Sequence, residues 1–145
     1  MAALVVMVGG LTFSAELMAE EQGEVMVYKS PYCGCCGGWV KHMEESGFRV
    51  KVENSDEMGV IKSRLGVPET MNSCHTAVID GYVIEGHVPA SDVRKLLKER
   101  PAVDGLAAPG MPMGSPGMEV EGEAPDAYDV LTFTKEGKTG LFSRH

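Results

Sequence analysis

The pattern of apolar and polar positions from residue 24 onward alternates between two periods. Short runs rich in β-branched residues are typical of strands, and runs with apolar residues three or four positions apart are typical of amphipathic helices. In chain order, the predicted elements are a strand at 24–28, a helix from the cysteine cluster to about 46, a strand at 48–52, a helix at 56–65, strands at 76–79 and 82–85, and a helix from 92 to about 100. This order, β-α-β-α-β-β-α, predicts an α/β (α+β) fold.

The composition changes after the last predicted helix. Residues 101–127 are rich in Pro, Gly and Met, which predicts a long loop. Residues 128–145 then show two strand-like runs around a Lys-Glu-Gly-Lys turn, which predicts a C-terminal β-hairpin. We therefore expect residues 24–145 to form a single domain that includes both the loop and the hairpin.

The first 23 residues have the character of a leader segment. The run 1–15 has no charged residue and is shorter than the roughly 20 apolar residues that a membrane span needs. An apolar stretch followed by small residues favours a secretory signal, here without its usual basic start and so truncated. The alternative is an ordinary buried N-terminal strand or helix. Export would place the cysteines in an oxidising compartment, where they pair as disulfides or bind metal.

The charge balance narrows the classes of partner. The formal net charge of −8 argues against nucleic acid and anionic lipid as partners. The hydrophobic content of 43% indicates a globular chain, and no stretch after the leader is apolar and long enough to span a membrane.

The main chemical signal is a cluster of three cysteines, Cys33, Cys35 and Cys36, where the first helix is predicted to begin. A helix N-terminus favours thiolates, since its free N–H groups carry partial positive charge. Cys33 and Cys36 can bridge as a disulfide or bind one metal. Cys35 leaves the helix about 100° away from Cys36, so several metals bridged by thiolates use all three sulfurs more easily than one metal does.

A fourth cysteine precedes the third predicted strand. A dicysteine motif after the first strand, together with the element order, matches the thioredoxin-like plan, in which the position before this strand lies beside the dicysteine motif and usually holds a cis-proline. This chain has Cys74 there, which turns a redox pair into a four-sulfur pocket. His75 is a candidate nitrogen ligand, although strand neighbours point to opposite faces. His87, at the end of the next strand, is a weaker candidate.

The loop contributes three closely spaced methionines, Met111, Met113 and Met118. Thioethers are neutral soft donors that favour Cu(I). We expect at least one of them, Met113 first, to contact a metal. The alternative is a loop that docks through its methionines onto an apolar surface.

The donor set favours copper over other metals. Structural zinc sites usually use two cysteine knuckles, and zinc leaves the methionine loop unexplained. Iron–sulfur proteins space their cysteines more widely. Cysteine combined with methionine indicates Cu(I).

Four motifs in order carry a family resemblance: Tyr32-Cys33-Gly34-Cys35-Cys36, Ser73-Cys74-His75-Thr76, Glu85-Gly86-His87-Val88-Pro89, and the methionine loop from Pro109 to Glu119. Over about 24–143 the chain resembles the CopG-type copper-resistance proteins, which are periplasmic and thioredoxin-like and have a C-x-C-C motif. The resemblance implies a multinuclear copper cluster held by the cysteines and nearby donors, a periplasmic location, and a role in handling Cu(I) and Cu(II), with redox conversion.

The sequence therefore predicts a periplasmic copper-binding protein for copper resistance, with several Cu(I) ions per chain and other periplasmic copper-handling proteins as possible partners. The predicted ligands are Cys33, Cys35, Cys36, Cys74, Met113, Met111, Met118 and His75. Whether it acts as an enzyme, such as a copper oxidoreductase, stays open. One alternative is a thiol–disulfide oxidoreductase that uses Cys33 as the nucleophile and Cys36 as the resolving thiol. A second is a structural zinc domain.

Overall fold

The computed structural model describes residues 23–145, which form seven strands and three α-helices. The elements are β1 Glu24–Lys29, α1 Gly34–Glu45, β2 Arg49–Asn54, α2 Met58–Leu65, a 3-10 turn Glu69–Met71, β3 Thr76–Ile79, β4 Tyr82–Gly86, α3 Ala90–Glu99, β5 Gly105–Ala108, β6 Asp129–Phe133 and β7 Thr139–Arg144. The prediction of a mixed α/β fold is confirmed. The predicted leader lies outside the described residues, apart from Gly23.

All seven strands form one mixed sheet in the order β2-β1-β3-β4-β5-β6-β7. The pairs β1–β2 and β4–β5 are parallel, and the remaining neighbours are antiparallel. The β3–β4 hairpin turns at Asp80-Gly81, where both residues have positive φ, 49° and 83°, as a tight two-residue hairpin turn requires. Strands β6 and β7 form the predicted C-terminal hairpin.

Strand β5 lies within the segment that the sequence analysis predicted to be a loop. Its residues are Gly105, Leu106 and two alanines, and all four are buried between β4 and β6. Gly105 is required there because a Cβ atom would lie 2.1 Å from the Val83 carbonyl oxygen. The prediction failed because this four-residue run of glycine, leucine and two alanines, followed by Pro109 and Gly110, has a weak strand signal, while pairing on both sides stabilises it.

The main core packs α1 and α3 against the sheet. Trp39 and Met43 of α1 and Leu96 of α3 are fully buried and belong to one cluster with the inward residues of β1, Val25 and Val27. The Trp39 indole donates a hydrogen bond of 2.8 Å to the Val88 carbonyl oxygen, which ties α1 to the segment after β4. The start of α1 is thereby held against the sheet.

Strand pairing brings distant parts of the sequence to one edge of the sheet. Tyr28 near the end of β1 pairs with Thr76 at the start of β3, and Thr76 pairs with Glu85 near the end of β4. Gly86 then pairs with Ala108 at the end of β5. The segments that carry the cysteine cluster, Cys74, His87 and the methionine loop therefore all begin or end at this edge.

Within residues 23–145, no helix is long and apolar enough to cross a membrane. The longest, α1, has 12 residues, against about 20 for a span.

Candidate metal centre

The four cysteines converge, as the sequence predicts. The sulfur atoms of Cys33, Cys35, Cys36 and Cys74 all lie within 4.8 Å of one another. Cys33 and Cys36 are joined by a disulfide, and Cys35 and Cys74 are free thiols. Cys35 Sγ lies 3.5 Å from Cys33 Sγ and 3.7 Å from Cys74 Sγ, so it stands between the disulfide and the fourth thiol.

Three of these cysteines lie at the N-terminus of α1. Cys33 occupies the N-cap position in an extended conformation, and it makes no side-chain cap hydrogen bond. No acidic residue lies in the first turn, so the partial positive charge of the helix terminus is not offset locally. Cys36 is fully buried, while Cys33 and Cys35 are partly exposed. Solvent or an incoming ion can therefore reach the sulfur atoms of Cys33 and Cys35.

The approach to these thiols is open. A Cβ atom on Gly34 or Gly37 would meet no described atom within 4 Å, and the neighbouring Tyr32 side chain is 89% exposed. A metal ion or a small reductant can therefore reach the sulfurs of Cys33 and Cys35 without rearrangement of α1.

Cys74 has a different environment from the helix thiols. Burial raises its pKa to about 11, and the proximity of Cys35 adds to this effect, while a hydrogen bond with Ser73 opposes it. In the metal-free form Cys74 is therefore a protonated thiol at neutral pH. A soft metal that binds it must displace this proton, which makes binding depend on pH.

His87 lies beside Cys74 with one ring nitrogen available. Its Nε2 is 3.1 Å from Cys74 Sγ, and its Nδ1 is 2.8 Å from the Pro116 carbonyl oxygen. A carbonyl oxygen only accepts hydrogen bonds, so Nδ1 is the donor there. Burial lowers the pKa of His87, which favours the neutral ring. The Nε2 lone pair consequently faces Cys74, the usual orientation of a metal-binding histidine with a hydrogen bond to its other nitrogen.

His75 is fully buried and packs between two rings. Its ring centroid lies 4.6 Å from that of Trp39 and 5.0 Å from that of His87. Within the described part of the chain, neither of its nitrogens makes a hydrogen bond of normal geometry, although the Gly86 backbone lies close enough to oppose the lowering of its pKa. Burial holds its pKa well below the ordinary value, so the ring is neutral. Because a buried polar atom without a partner is costly, these nitrogens are candidate ligand atoms.

Cys74, His75 and His87 form a second donor group, with ligand atoms within 4.8 Å of one another. Cys74 belongs to both groups, so the four sulfur atoms and the two imidazoles form one continuous set of donors. The sequence analysis ranked His87 below His75. The sequence did contain a signal for His87, because this residue directly follows β4, at the same edge of the sheet where Cys74 precedes β3.

The methionine loop packs against the centre through its backbone. The Pro116 carbonyl oxygen accepts the His87 hydrogen bond, and Gly117 lies so close to α1 that a Cβ atom would be 2.7 Å from the Cys35 carbonyl oxygen. Met113 and Met118 are partly buried, and the Met111 side chain is 58% exposed. The loop thus lies beside the centre, and ligation by its thioether sulfurs remains a prediction.

A buried ion pair lies behind the Cys74 segment. Lys62 of α2 is 8% exposed, and it pairs with the fully buried carboxylate of Glu85 on β4. The sequence analysis gave neither residue a role, because a lysine on a short amphipathic helix is normally an exposed residue.

Comparison with known proteins agrees with this geometry. Two solved structures, named "Copper resistance protein copG", Form 1 and Form 2, are each 48% identical to the chain. Form 1 superposes with a TM-score of 0.80, covering 86% of this chain and 98% of its own. For Form 2 the TM-score is 0.81, with 86% of this chain and 99% of its own covered. The chain belongs to the CopG copper-resistance family.

The resemblance to CopG-type proteins predicted from four motifs is thereby confirmed. A family model described as a protein of unknown function, DUF411, matches residues 71–118, which span Cys74, both buried histidines and the methionine loop. No curated protein sequence matches the chain. The chain thus has relatives that are named copper resistance proteins, and it has a cysteine group that can bind a metal.

Proposed function

We propose that the chain is a periplasmic, thioredoxin-like copper-binding protein that holds several Cu(I) ions in a thiolate cluster. The observation that carries the proposal is the convergence of four cysteine sulfurs within 4.8 Å of one another at the start of α1. A group of this size at thiolate-bridging distances suits several soft ions better than one tetrahedral ion. The CopG relatives support copper as that ion.

The proposed ligands are Cys33, Cys35, Cys36 and Cys74. His75 and one or more of Met113, Met111 and Met118 complete the coordination. His87 joins this set on the strength of its Nε2 atom, 3.1 Å from Cys74 Sγ. Mixed sulfur and nitrogen donors are compatible with both Cu(I) and Cu(II), which supports interconversion of the two states at this site.

Electron transfer from the cysteines to copper can be written as a balanced reaction. When Cys33 and Cys36 are thiolates, each can give one electron to a Cu(II) ion, which yields two Cu(I) ions and the Cys33–Cys36 disulfide. Return to the four-thiol form needs two electrons and two protons from an external thiol reductant. The open approach past Gly34 and Gly37 suits such a reductant.

The thioredoxin-like part of the proposal rests on topology. Strands β2, β1, β3 and β4 are adjacent in that order, with β1 and β2 parallel and β3 antiparallel to both β1 and β4. The cysteine pair follows β1 at the N-terminus of α1, as in the predicted plan.

Anaerobic purification after copper exposure tests the proposal. We expect several copper ions per chain, little zinc, and no free thiol while the metal is bound. Stoichiometric zinc without copper would support the structural zinc domain instead. The export part is tested separately, by locating the protein in cell fractions and determining the N-terminus of the mature chain.

The second candidate, a thiol–disulfide oxidoreductase, is favoured by one observation, the disulfide between Cys33 and Cys36 at an accessible helix N-terminus. Cys35→Ser separates the two candidates. A simple Cys-x-x-Cys reductase tolerates this change, whereas a thiolate cluster loses copper. A metal-free chain that reduces a disulfide substrate equally well with Ser at this position would refute the copper proposal.

A further inference from the structure

The buried ion pair of Lys62 and Glu85 has no part in the copper chemistry described above. Both charged groups are removed from solvent, Glu85 completely. Charged side chains are rarely buried unless they are paired, and an ion pair in the interior is often no more stabilising than apolar residues of the same size. Stability alone is therefore a weak explanation for its presence beside the metal centre.

The carboxylate of Glu85 binds the residues on both sides of Cys74 and His75. The Ser73 backbone N–H donates to Oε1 at 2.7 Å, and the Thr76 hydroxyl donates to Oε2 at 2.6 Å. A single side chain thus fixes the two ends of the four-residue segment that carries both candidate ligands.

Lys62 holds the carboxylate in this orientation. Its ammonium group pairs with Glu85 Oε1 and donates a hydrogen bond of 3.0 Å to the Thr76 hydroxyl oxygen. The three side chains therefore form a closed ring of hydrogen bonds. The lysine also balances the charge of the carboxylate, so no uncompensated negative charge lies beside the thiols.

The position of Ser73 determines where the Cys74 sulfur lies. Gly86 approaches Ser73 so closely that a Cβ atom on Gly86 would lie 2.5 Å from Ser73 Cβ. The Cys74 sulfur, one residue further on, lies 3.7 Å from Cys35 Sγ and 3.1 Å from His87 Nε2. Both distances depend on the backbone at Ser73.

We propose that Glu85, oriented by Lys62, is a positioning residue that holds Cys74 opposite Cys35 and His87 before a metal binds. Its biological meaning rests on the proposed copper function, although the geometric role can be tested without metal. In this proposal the Glu85 carboxylate acts as the hydrogen-bond acceptor for the Ser73 N–H group. Lys62 neutralises and orients that carboxylate.

Two double variants isolate the acceptor from the charge. Lys62→Met with Glu85→Gln removes both charges and keeps an amide oxygen for the Ser73 N–H group. Lys62→Met with Glu85→Leu removes the charges and the acceptor. We expect the leucine variant to lose about 10- to 100-fold in Cu(I) affinity, the usual effect of removing a group that orients a metal ligand. The glutamine variant should stay near the wild-type affinity, measured by competition with a Cu(I) chelator.

A control variant tests for general loss of stability. Asp92 of α3 is also a buried carboxylate, and it accepts a 2.6 Å hydrogen bond from the Ser143 hydroxyl, on elements that do not carry the ligands. Asp92→Asn should lower the melting temperature and leave copper affinity unchanged. Equal loss of affinity in this control would assign the effect to stability and overturn the proposal.

The metal-free measurement uses a background of Cys33→Ser and Cys36→Ala, which leaves only Cys35 and Cys74. Diamide oxidises these two thiols to a disulfide, and their two protons and two electrons reduce the diamide to the hydrazine. We expect the leucine variant to cross-link more slowly than the glutamine variant, which should match the parent.

The copper-affinity and cross-linking measurements test the proposal independently of each other. If the wild-type chain binds no copper, the cross-linking rates still decide whether Glu85 positions Cys74. Equal cross-linking in all variants would overturn the positioning role even where copper is bound. An equal slowing in both double variants would also overturn it, because charge rather than the acceptor would then be responsible.

Discussion

The two sides of the metal centre are built in different ways. The helix side consists of Cys33, Cys35 and Cys36, which lie within four residues at the start of α1, with no charged residue in the first turn. Cys33 and Cys35 are partly exposed, and Cys36 is buried. The strand side consists of Cys74, His75 and His87 at the ends of β3 and β4. It is mostly buried and is supported by the ion pair of Lys62 and Glu85.

This difference means that the helix side provides reactive cysteines, whereas the strand side provides donors in fixed positions. The helix side holds thiols that can exchange, oxidise or receive a metal, because their environment is open. On the strand side Cys74 and His87 are held by hydrogen bonds, and His75 is held by packing against Trp39 and His87. In this buried setting, moving or charging any group is costly. Changes on the strand side should therefore affect folding as well as binding, whereas changes on the helix side should affect mainly the chemistry.

The largest expected effect on folding is on the strand side. Lys62→Met leaves the Glu85 carboxylate buried without its partner, which should lower the free energy of unfolding by about 3–5 kcal/mol. Urea unfolding of the reduced, metal-free protein measures this value. Lys51→Met is the control, since Lys51 pairs with Glu24 at 3.1 Å on the surface and should cost no more than about 1 kcal/mol. Similar losses in both variants would remove the distinction drawn between the two sides.

We expect an intermediate loss of stability from a substitution where the methionine loop contacts the helix side. Gly117→Ala forces a positive φ of 87° on alanine and brings its Cβ atom to 2.5 Å from the Trp39 backbone nitrogen. The clash should lower the free energy of unfolding by about 1–3 kcal/mol beyond the backbone cost.

Gly122→Ala is the matched control for this substitution. Its φ is 84°, and no described atom lies within 4 Å of the new Cβ position, so it carries the backbone cost alone. Thermal unfolding and limited proteolysis of the loop compare the two variants. If they behave alike, the loop is not packed tightly against α1.

The smallest expected effect is a pH dependence on the strand side. Burial holds the pKa of His75 well below the unfolded value of 6.5, so below pH 6.5 the unfolded chain binds a proton that the folded chain does not. The His75 contribution to stability is therefore complete above about pH 6.5, and it should lower the free energy of unfolding by about 1.4 kcal/mol for each pH unit below that value.

His75→Phe should make this slope shallower in the metal-free protein, because phenylalanine keeps the packing against Trp39 and does not titrate. The pKa values of His42 and His87 are also lowered by burial, so part of the slope should remain. An unchanged slope in the phenylalanine variant would show that His75 does not contribute.

Much of the fold follows from local signals. The Trp39 and Met43 spacing places one face of α1 in the core, and Asp80-Gly81 specifies the β3–β4 hairpin. The sequence analysis missed strand β5. It also gave no indication that the His42 Nε2 accepts a hydrogen bond from the Ala90 N–H group at 3.0 Å. Both depend on neighbours distant in the sequence.

The sequence by itself determined the helix side of the centre, since three cysteines at a strand-to-helix junction must lie together wherever that helix packs. It also indicated Cys74 through its place in the order of elements. The tertiary structure alone decided the strand side, because strand pairing brings Cys74 and His87 together and buries Lys62 against Glu85. Burial, charge pairing and ring orientation arise only when these separate segments meet at one edge of the sheet.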